Sequence, residues 1–220
     1  MTRLALFDLD DTLLDTAKAY RRWVEAFSTS LASAAEPSAE DLSLMYDVDF
    51  LNVSLKDQIA RLHAHFGLDG SAEEFWEAFR QTFPRYQRCE PATMQGLVAL
   101  RNAGWKIGIV TNGPTQEQSD KIRFSGLDRY VDGWSISEQV GARKPELAIF
   151  TDVASQLAVP LSRGGWMAGD NLSADIAGGQ AAGLETIWIH HGRSRGDDDI
   201  EPSHSCANVG EATSLILDAA

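Results

Sequence analysis

Residues 4–12 read Leu-Ala-Leu-Phe-Asp-Leu-Asp-Asp-Thr, a short apolar run that ends abruptly in acidic residues at Asp8. A run of four apolar residues that stops at polar ones is typical of a strand buried on both faces of a parallel sheet. The same pattern recurs where residues 106–110 precede Thr111 and where residues 165–168 precede Gly169 and Asp170. Residues 134–136 and 186–189 are two more predicted strands.

Helical stretches separate most of these strands. Residues 92–103 end at Gly104, and residues 115–125 begin with a Thr115-x-x-Gln118 capping pattern and end at Gly126. Two further helices are predicted from Pro145 to about residue 157 and over residues 173–182. Strands and helices that alternate at this spacing predict an α/β fold with a doubly wound parallel sheet.

Residues 15–90 differ from the rest, because no strand-like run interrupts them. Aromatic and aliphatic residues recur there at steps of three and four, which is typical of amphipathic helices. The sequence therefore predicts two domains: an α/β core made of residues 1–14 and 91–220, and an inserted helical domain over residues 15–90.

The net charge and the cysteine count limit the kinds of binding partner and the cellular setting that we expect. The 220 residues carry 19 Lys and Arg against 32 Asp and Glu, so the formal charge is 19 − 32 = −13. This charge argues against nucleic acid and anionic membranes as partners. Two cysteines, Cys89 and Cys206, are too few for a disulfide framework, and no apolar stretch approaches the length of a membrane span. We expect a cytoplasmic protein, monomeric or dimeric.

Polar residues follow three of the predicted strands, at the sheet edge where open parallel sheets bind their ligands. Carboxylates gathered there repel one another unless a cation lies among them, and a hard ion with few protein ligands points to Mg²⁺. We expect the side chains of Asp8 and Asp170 and the backbone carbonyl of Asp10 as metal ligands. Asp175 lies one helical turn farther on, and we expect it, with Asn171, to lie behind the ligands or to reach the metal through water.

The same edge offers hydrogen-bond donors for a dianion. They are Lys144, the hydroxyl of Thr111 and the backbone amides of Leu9, Asp10, Asn112 and Gly113. A metal ion facing such donors suggests phosphoryl transfer, in which catalysis is mainly positioning and charge stabilisation.

Four motifs occur in order: Asp8-x-Asp10-x-Thr12, Thr111-Asn112-Gly113, Lys144-Pro145 and Gly169-Asp170-x4-Asp175. Together they resemble the motifs of the haloacid dehalogenase-like hydrolase superfamily, whose helical class I cap the insertion also resembles. The second Asp of this first motif, Asp10, resembles the pattern found in the phosphatase branch of the superfamily. More narrowly, Thr111 to Thr115 and Ile136 to Gly141 are similar to the 5′-nucleotidase and N-acylneuraminate-9-phosphatase group.

The resemblance implies a role for each matching residue. Asp8 corresponds to the nucleophile that forms an aspartyl phosphate, and Asp10 to the acid/base. Thr111 and Lys144 correspond to the phosphate-binding hydroxyl and amine, and Asp170 to the metal-binding acid. For the proton-donating role we expect a raised pKa at Asp10 in the free enzyme.

The expected function is hydrolysis of a small phosphorylated metabolite, a nucleoside 5′-monophosphate or a sugar phosphate, with Mg²⁺. The alternatives are a phosphosugar mutase or a 2-haloacid dehalogenase on the same fold, and a phospho-switch without enzymatic activity. A calcium-binding loop is excluded, because Leu13 and Ala19 stand where such a loop needs Gly and Glu.

Overall fold

Six parallel strands form the sheet of this protein in a computed structural model that describes residues 3–32, 36–50, 52–196 and 199–219. The strands lie in the order β3-β2-β1-β4-β5-β6. They are β1 (Arg3–Phe7), β2 (Trp105–Thr111), β3 (Gly133–Ile136), β4 (Gly165–Gly169), β5 (Glu185–Ile189) and β6 (His204–Cys206). The predicted parallel α/β sheet is thereby confirmed.

The first strand shows why the sheet is covered on both faces. Ala5 and Phe7 belong to one apolar cluster, and Leu4 and Leu6 belong to another. Side chains alternate between the two faces of a strand, so an unbroken apolar run is buried on both sides. Helices therefore lie on both faces of the sheet.

The chain divides into two compact units. One contains the residues up to Asp15 and those from Arg88 onward, and the other is Thr16–Gln87. The second unit is helical, with α1 (Thr16–Ala32), α2 (Ala39–Tyr46), α3 (Leu55–Phe66), α4 (Ala72–Thr82) and a 3₁₀ turn (Phe83–Tyr86). Its interior is an aromatic and aliphatic cluster that includes Tyr20, Trp23, Ile59, Leu62 and Phe79.

The core unit adds six α-helices within the described residues: α5 (Pro91–Asn102), α6 (Thr115–Phe124), α7 (Ser137–Val140), α8 (Leu147–Gln156), α9 (Ala177–Ala181) and α10 (Val209–Asp218). A π-helical turn (Leu172–Ile176) precedes α9, and two 3₁₀ turns lie at Leu127–Arg129 and Leu161–Arg163. Among the described residues, no helix is both long and apolar enough to cross a membrane.

Two features of the core differ from the sequence prediction. The strand β6 was not predicted, because its three residues are mostly exposed and make no apolar run. Thr115 is the first helical residue of α6, with Pro114 at the N-cap and no side-chain cap. Gln118 is therefore not a capping residue, and its side chain points elsewhere.

Strand register places the polar strand ends together. Phe7 pairs with Ile109 of β2 on one side and with Ala168 of β4 on the other. The residues after these strands therefore lie at one edge of the sheet, where the chain order reverses between β1 and β4. This position is where open α/β sheets bind ligands.

Candidate active site

Three carboxylates meet at the carboxyl ends of β1 and β4. Asp8 follows β1, and its amide donates to the carbonyl of Ala168 at 2.9 Å. Asp170 follows β4, and Asp175 lies fully buried in the π-helical turn. One carboxylate oxygen from each of these three Asp residues lies within 4.8 Å of the others. Asp175 therefore lies in one cluster with Asp8 and Asp170.

Lys144 is the ammonium inside this cluster. Its Nζ lies 2.5 Å from Oδ1 of Asp8 and 2.6 Å from Oδ1 of Asp175, and its side chain is 3% exposed. Burial alone lowers the pKa of Lys144, but the two carboxylates outweigh it and the pKa is raised. Lys144 is therefore a charged donor beside Asp8.

Asn112 holds the backbone of Lys144. Its side-chain oxygen accepts from the amide of Lys144 at 2.9 Å, and its side-chain nitrogen donates to the carbonyl of Lys144 at 3.1 Å. The motif that follows β2 thus fixes the loop that carries the lysine. This role of the Asn112 side chain comes in addition to the backbone donor that the sequence predicts.

The cluster carries more negative than positive charge. Burial, and then the neighbouring Asp175, raise the pKa of Asp170 to about 6, although Arg193 opposes the shift. Burial also raises the pKa of Asp8 well above its ordinary value, against the attraction of Lys144. Three carboxylates with one buried ammonium form an environment that favours an additional cation.

Asp10 faces a different set of partners. Nζ of Lys121 lies 3.0 and 2.9 Å from its two carboxylate oxygens, and Nε2 of Gln118 lies 2.9 Å from Oδ2. Burial raises the pKa of Asp10, but Lys121 and then Gln118 outweigh it, and the pKa is lowered. The expectation of a raised pKa at Asp10 is therefore wrong for this structure, because the sequence reading did not include Lys121.

The remaining predicted donors are placed as follows. Thr111 ends β2, is 1% exposed, and its hydroxyl oxygen lies 2.6 Å from Nε2 of Gln118. The amide of Gly113 already donates to Oγ of Ser137 at 3.0 Å. Leu9 is buried, and its carbonyl accepts from the amide of Leu14 at 2.9 Å.

Asn171 positions Asp175. The amide of Asn171 donates to Oδ2 of Asp175 at 2.9 Å, and its side-chain oxygen caps the turn by accepting from Ala174 at 2.9 Å. Asn171 therefore holds the carboxylate of Asp175 in place.

Sequence reasoning missed Gln118, Lys121, Ser137 and Arg193. Arg193 donates through Nη2 to both the carbonyl and Oδ2 of Asp170, each at 3.0 Å. It lies just beyond β5, so the rule that polar residues after parallel strands meet at one edge identifies it once that rule is applied to β5. Gln118 was missed because its spacing from Thr115 indicated a helix cap.

Comparisons with known proteins show which family the chain resembles. The model of the haloacid dehalogenase-like hydrolase family matches residues 5–189. A glyceraldehyde 3-phosphate phosphatase of Methanopyrus kandleri is 30% identical over 216 residues, covering 91% of each chain. A pyrimidine 5′-nucleotidase of Streptococcus pneumoniae, PynA, is 29% identical over 205 residues, covering 86% of this chain and 85% of its own.

Solved structures show the same fold. The crystal structure of a HAD phosphatase from Thermococcus onnurineus superposes with a TM-score of 0.63 and 26% identity, covering 97% of each chain. The family match spans both the core and the helical insertion. The chain therefore belongs to the haloacid dehalogenase-like hydrolase family.

Proposed function

We propose that this protein hydrolyses a small phosphorylated metabolite with Mg²⁺, through an aspartyl phosphate formed on Asp8. One observation carries the proposal: Asp8 lies in a buried cluster with Asp170, Asp175 and Lys144 at the ligand-binding edge of the sheet. A carboxylate beside a fixed ammonium and a cation-binding cluster has what attack on phosphorus requires.

The donor set fits Mg²⁺. Carboxylate oxygens are the ligands that this ion prefers, and the three carboxylates exceed the one ammonium of Lys144 in charge. We propose the side chains of Asp8 and Asp170 and the carbonyl of Asp10 as ligands, with Asp175 holding Lys144 and closing the cluster. When bound, Mg²⁺ supplies positive charge against the phosphate oxygens.

The proposed roles of the residues in phosphoryl transfer differ. We propose that Asp8 attacks phosphorus, while Lys144, the hydroxyl of Thr111 and the amides of Leu9 and Asn112 bind the phosphate oxygens. The amide of Gly113 joins them only if it leaves Ser137. Binding of the phosphate oxygens stabilises the charge that develops during the displacement.

Asp10 is the proposed acid/base. Its pairing with Lys121 keeps it ionised, which is the state that accepts a proton from the hydrolytic water. Proton donation to the leaving oxygen requires Asp10 to take up a proton first, after the substrate has bound. A single carboxyl group then serves both half-reactions.

The substrate class follows from the relatives. The Methanopyrus protein is a glyceraldehyde 3-phosphate phosphatase by name, and the Streptococcus protein is a pyrimidine 5′-nucleotidase by name. We propose a sugar phosphate or a nucleoside 5′-monophosphate as substrate, with selection residing in the helical unit Thr16–Gln87 acting as the cap domain. The free, buried thiols of Cys89 and Cys206 support a cytoplasmic setting, and we propose a monomer or dimer.

A phosphate-release assay tests the proposal. The purified protein with MgCl₂ is supplied with nucleoside 5′-monophosphates, sugar phosphates and p-nitrophenyl phosphate, and a parallel sample receives EDTA. We expect free phosphate from at least one metabolite class and its loss in EDTA. Phosphoryl return to the substrate without free phosphate would indicate a mutase, and chloride release from a 2-chloroacid would indicate a dehalogenase.

A further inference from the structure

We propose that Gln118 is a positioning residue that orients the acid/base Asp10 relative to the phosphate-binding hydroxyl of Thr111. The inference rests on the proposed function and deepens it. It concerns a residue that makes no contact with the reacting atoms but fixes two groups that do.

The side-chain nitrogen of Gln118 contacts both groups. Nε2 lies 2.9 Å from Oδ2 of Asp10, 2.6 Å from Oγ1 of Thr111 and 3.4 Å from the carbonyl of Asn112. The Gln118 side chain is buried, with the residue 1% exposed. One amide group therefore joins the loop after β1 to the end of β2.

The orientation of this amide is chemically determined. An ionised carboxylate only accepts hydrogen bonds, so the NH₂ group must face Asp10, and the opposite orientation would put Oε1 against the carboxylate. In the described part of the chain, Oε1 of Gln118 is buried without a hydrogen-bond partner. Leaving a buried acceptor unsatisfied is unfavourable, so stability alone does not explain this placement.

Gly113 makes room for Gln118. A Cβ atom on Gly113 would lie 2.9 Å from Cγ and 3.0 Å from Cδ of Gln118, closer than side-chain carbons approach. The absence of a side chain at Gly113 therefore lets Gln118 reach Asp10 and Thr111. This close approach is independent of the hydrogen bonds and points to the same role.

Lys121 keeps Asp10 charged, so a Gln118 variant tests the orientation of Asp10 and not its charge. It lies one turn farther along α6 and pairs with both carboxylate oxygens of Asp10. Removing Gln118 leaves Asp10 beside this ammonium, and what is lost is the link to Thr111. We therefore expect a Gln118 variant to misplace the proton-transfer group while the charge of Asp10 is retained.

Two aryl phosphates of different leaving-group quality test the inference. p-Nitrophenolate departs readily without a proton, whereas phenol, with a pKa of about 10, needs protonation. For Gln118→Met we expect kcat/KM on phenyl phosphate, which reports formation of the aspartyl phosphate, to fall by about tenfold or more, since general acid–base catalysis contributes about 10²–10⁴-fold. On p-nitrophenyl phosphate we expect kcat/KM to fall by less than about threefold. The value of kcat is not diagnostic, because hydrolysis of the shared aspartyl phosphate also uses Asp10 and slows for both substrates.

Matched variants complete the experiment. Gln118→Glu keeps the shape but places a second carboxylate against Asp10, so it should show at least the same selective loss. Gln116→Met on the same helix is the control, because Gln116 is exposed and bonds only to Asp120, and its kinetics should match the wild type.

The outcomes separate the two proposals. Thermal unfolding identifies any variant that fails to fold, and in that case the isosteric Gln118→Glu provides the comparison. If the wild type hydrolyses both aryl phosphates and the Gln118 variants lose kcat/KM equally on both, or on neither, the positioning role is wrong and the proposed function stands. If the wild type hydrolyses neither aryl phosphates nor metabolites, both proposals fall.

Discussion

Burial of several charges in one small volume is the main physical feature at the scale of single residues. Asp8 and Asp175 share the ammonium of Lys144, whereas Asp170 pairs with Arg193, whose side chain is 31% exposed. Removing charges from water is unfavourable, and the pairings compensate for it only in part. The raised pKa values of Asp8 and Asp170 result from the part of this desolvation cost that the ion pairs do not offset.

The raised pKa of Asp170 predicts that the protein becomes less stable as pH rises. The pKa of Asp170 is about 6 in the folded protein, above its ordinary value near 4, so the folded state binds the proton more tightly than the unfolded state does. The free energy of unfolding therefore falls as pH rises from about 4 to about 6, by roughly 3 kcal/mol from this group in EDTA. Asp170→Asn should remove that part of the pH dependence.

Urea unfolding between pH 4 and pH 7.5 in EDTA measures this effect. The exposed Asp128→Asn serves as the control and should follow the wild type. Adding MgCl₂ at pH 7.5 should stabilise the wild type, because a ligand that binds only the folded state shifts the unfolding equilibrium. If wild type and Asp170→Asn show the same pH dependence, the carboxyl group of Asp170 is not destabilised by burial.

At this scale the sequence predicts the acidic residues well and their basic partners poorly. Asp8 and Asp170 follow directly after apolar runs, so the strand-end rule brings them together. Lys121 and Gln118 lie inside a helix, where their spacing is equally typical of a solvent-exposed face. Only the orientation of α6 shows that both point at Asp10.

At the scale of secondary-structure elements, the close approach of β1 and β4 brings Asp8 and Asp170 together. Leu4 pairs with Gly165, and a Cβ atom on Gly165 would collide with the backbone carbonyl of Leu4. The two strands therefore require glycine at this position. Their register in turn sets Asp8 opposite the loop that carries Asp170.

Gly165→Ala should disturb this pairing. The collision is with backbone, which cannot rotate away, so we expect a loss of about 2–3 kcal/mol in the free energy of unfolding and a weaker response to MgCl₂. Gly133→Ala in the edge strand β3 is the control, because its Cβ would meet mainly the flexible side chain of Gln156 at 3.3 Å. Equal unfolding free energies for the two variants would contradict the requirement for glycine between β1 and β4.

Five of the six strands are predictable from sequence, and the reason is burial on both faces. The sixth, β6, pairs with β5 through His204, Ser205 and Cys206, of which only Cys206 is buried. Its edge position needs no apolar run, so a search for apolar runs does not find it. The start of α6 at Thr115 agrees with the prediction. The predicted capping role of Gln118 is wrong, because its side chain makes a tertiary contact with Asp10 instead.

At the scale of the whole molecule, the formal charge of −13 opposes the approach of a phosphate dianion. Salt screens this repulsion, with a Debye length of about 30 Å at 0.01 M and about 8 Å at 0.15 M. We therefore expect kcat/KM for p-nitrophenyl phosphate to rise by about twofold between these ionic strengths at constant free Mg²⁺. A fall in kcat/KM over this range would show that local cations, and not the net charge, govern capture.

The central claim is that a carboxylate oxygen of Asp8 attacks phosphorus and forms an aspartyl phosphate. Trapping this covalent intermediate tests the claim most directly. Wild-type protein with MgCl₂ and p-nitrophenyl phosphate is acid-quenched, reduced with borohydride and digested for peptide mass spectrometry. We predict substrate-dependent conversion of Asp8 to homoserine, and loss of turnover by about 10³-fold or more in Asp8→Asn. Phosphate release with no modification at Asp8, together with an active Asp8→Asn variant, would contradict the account.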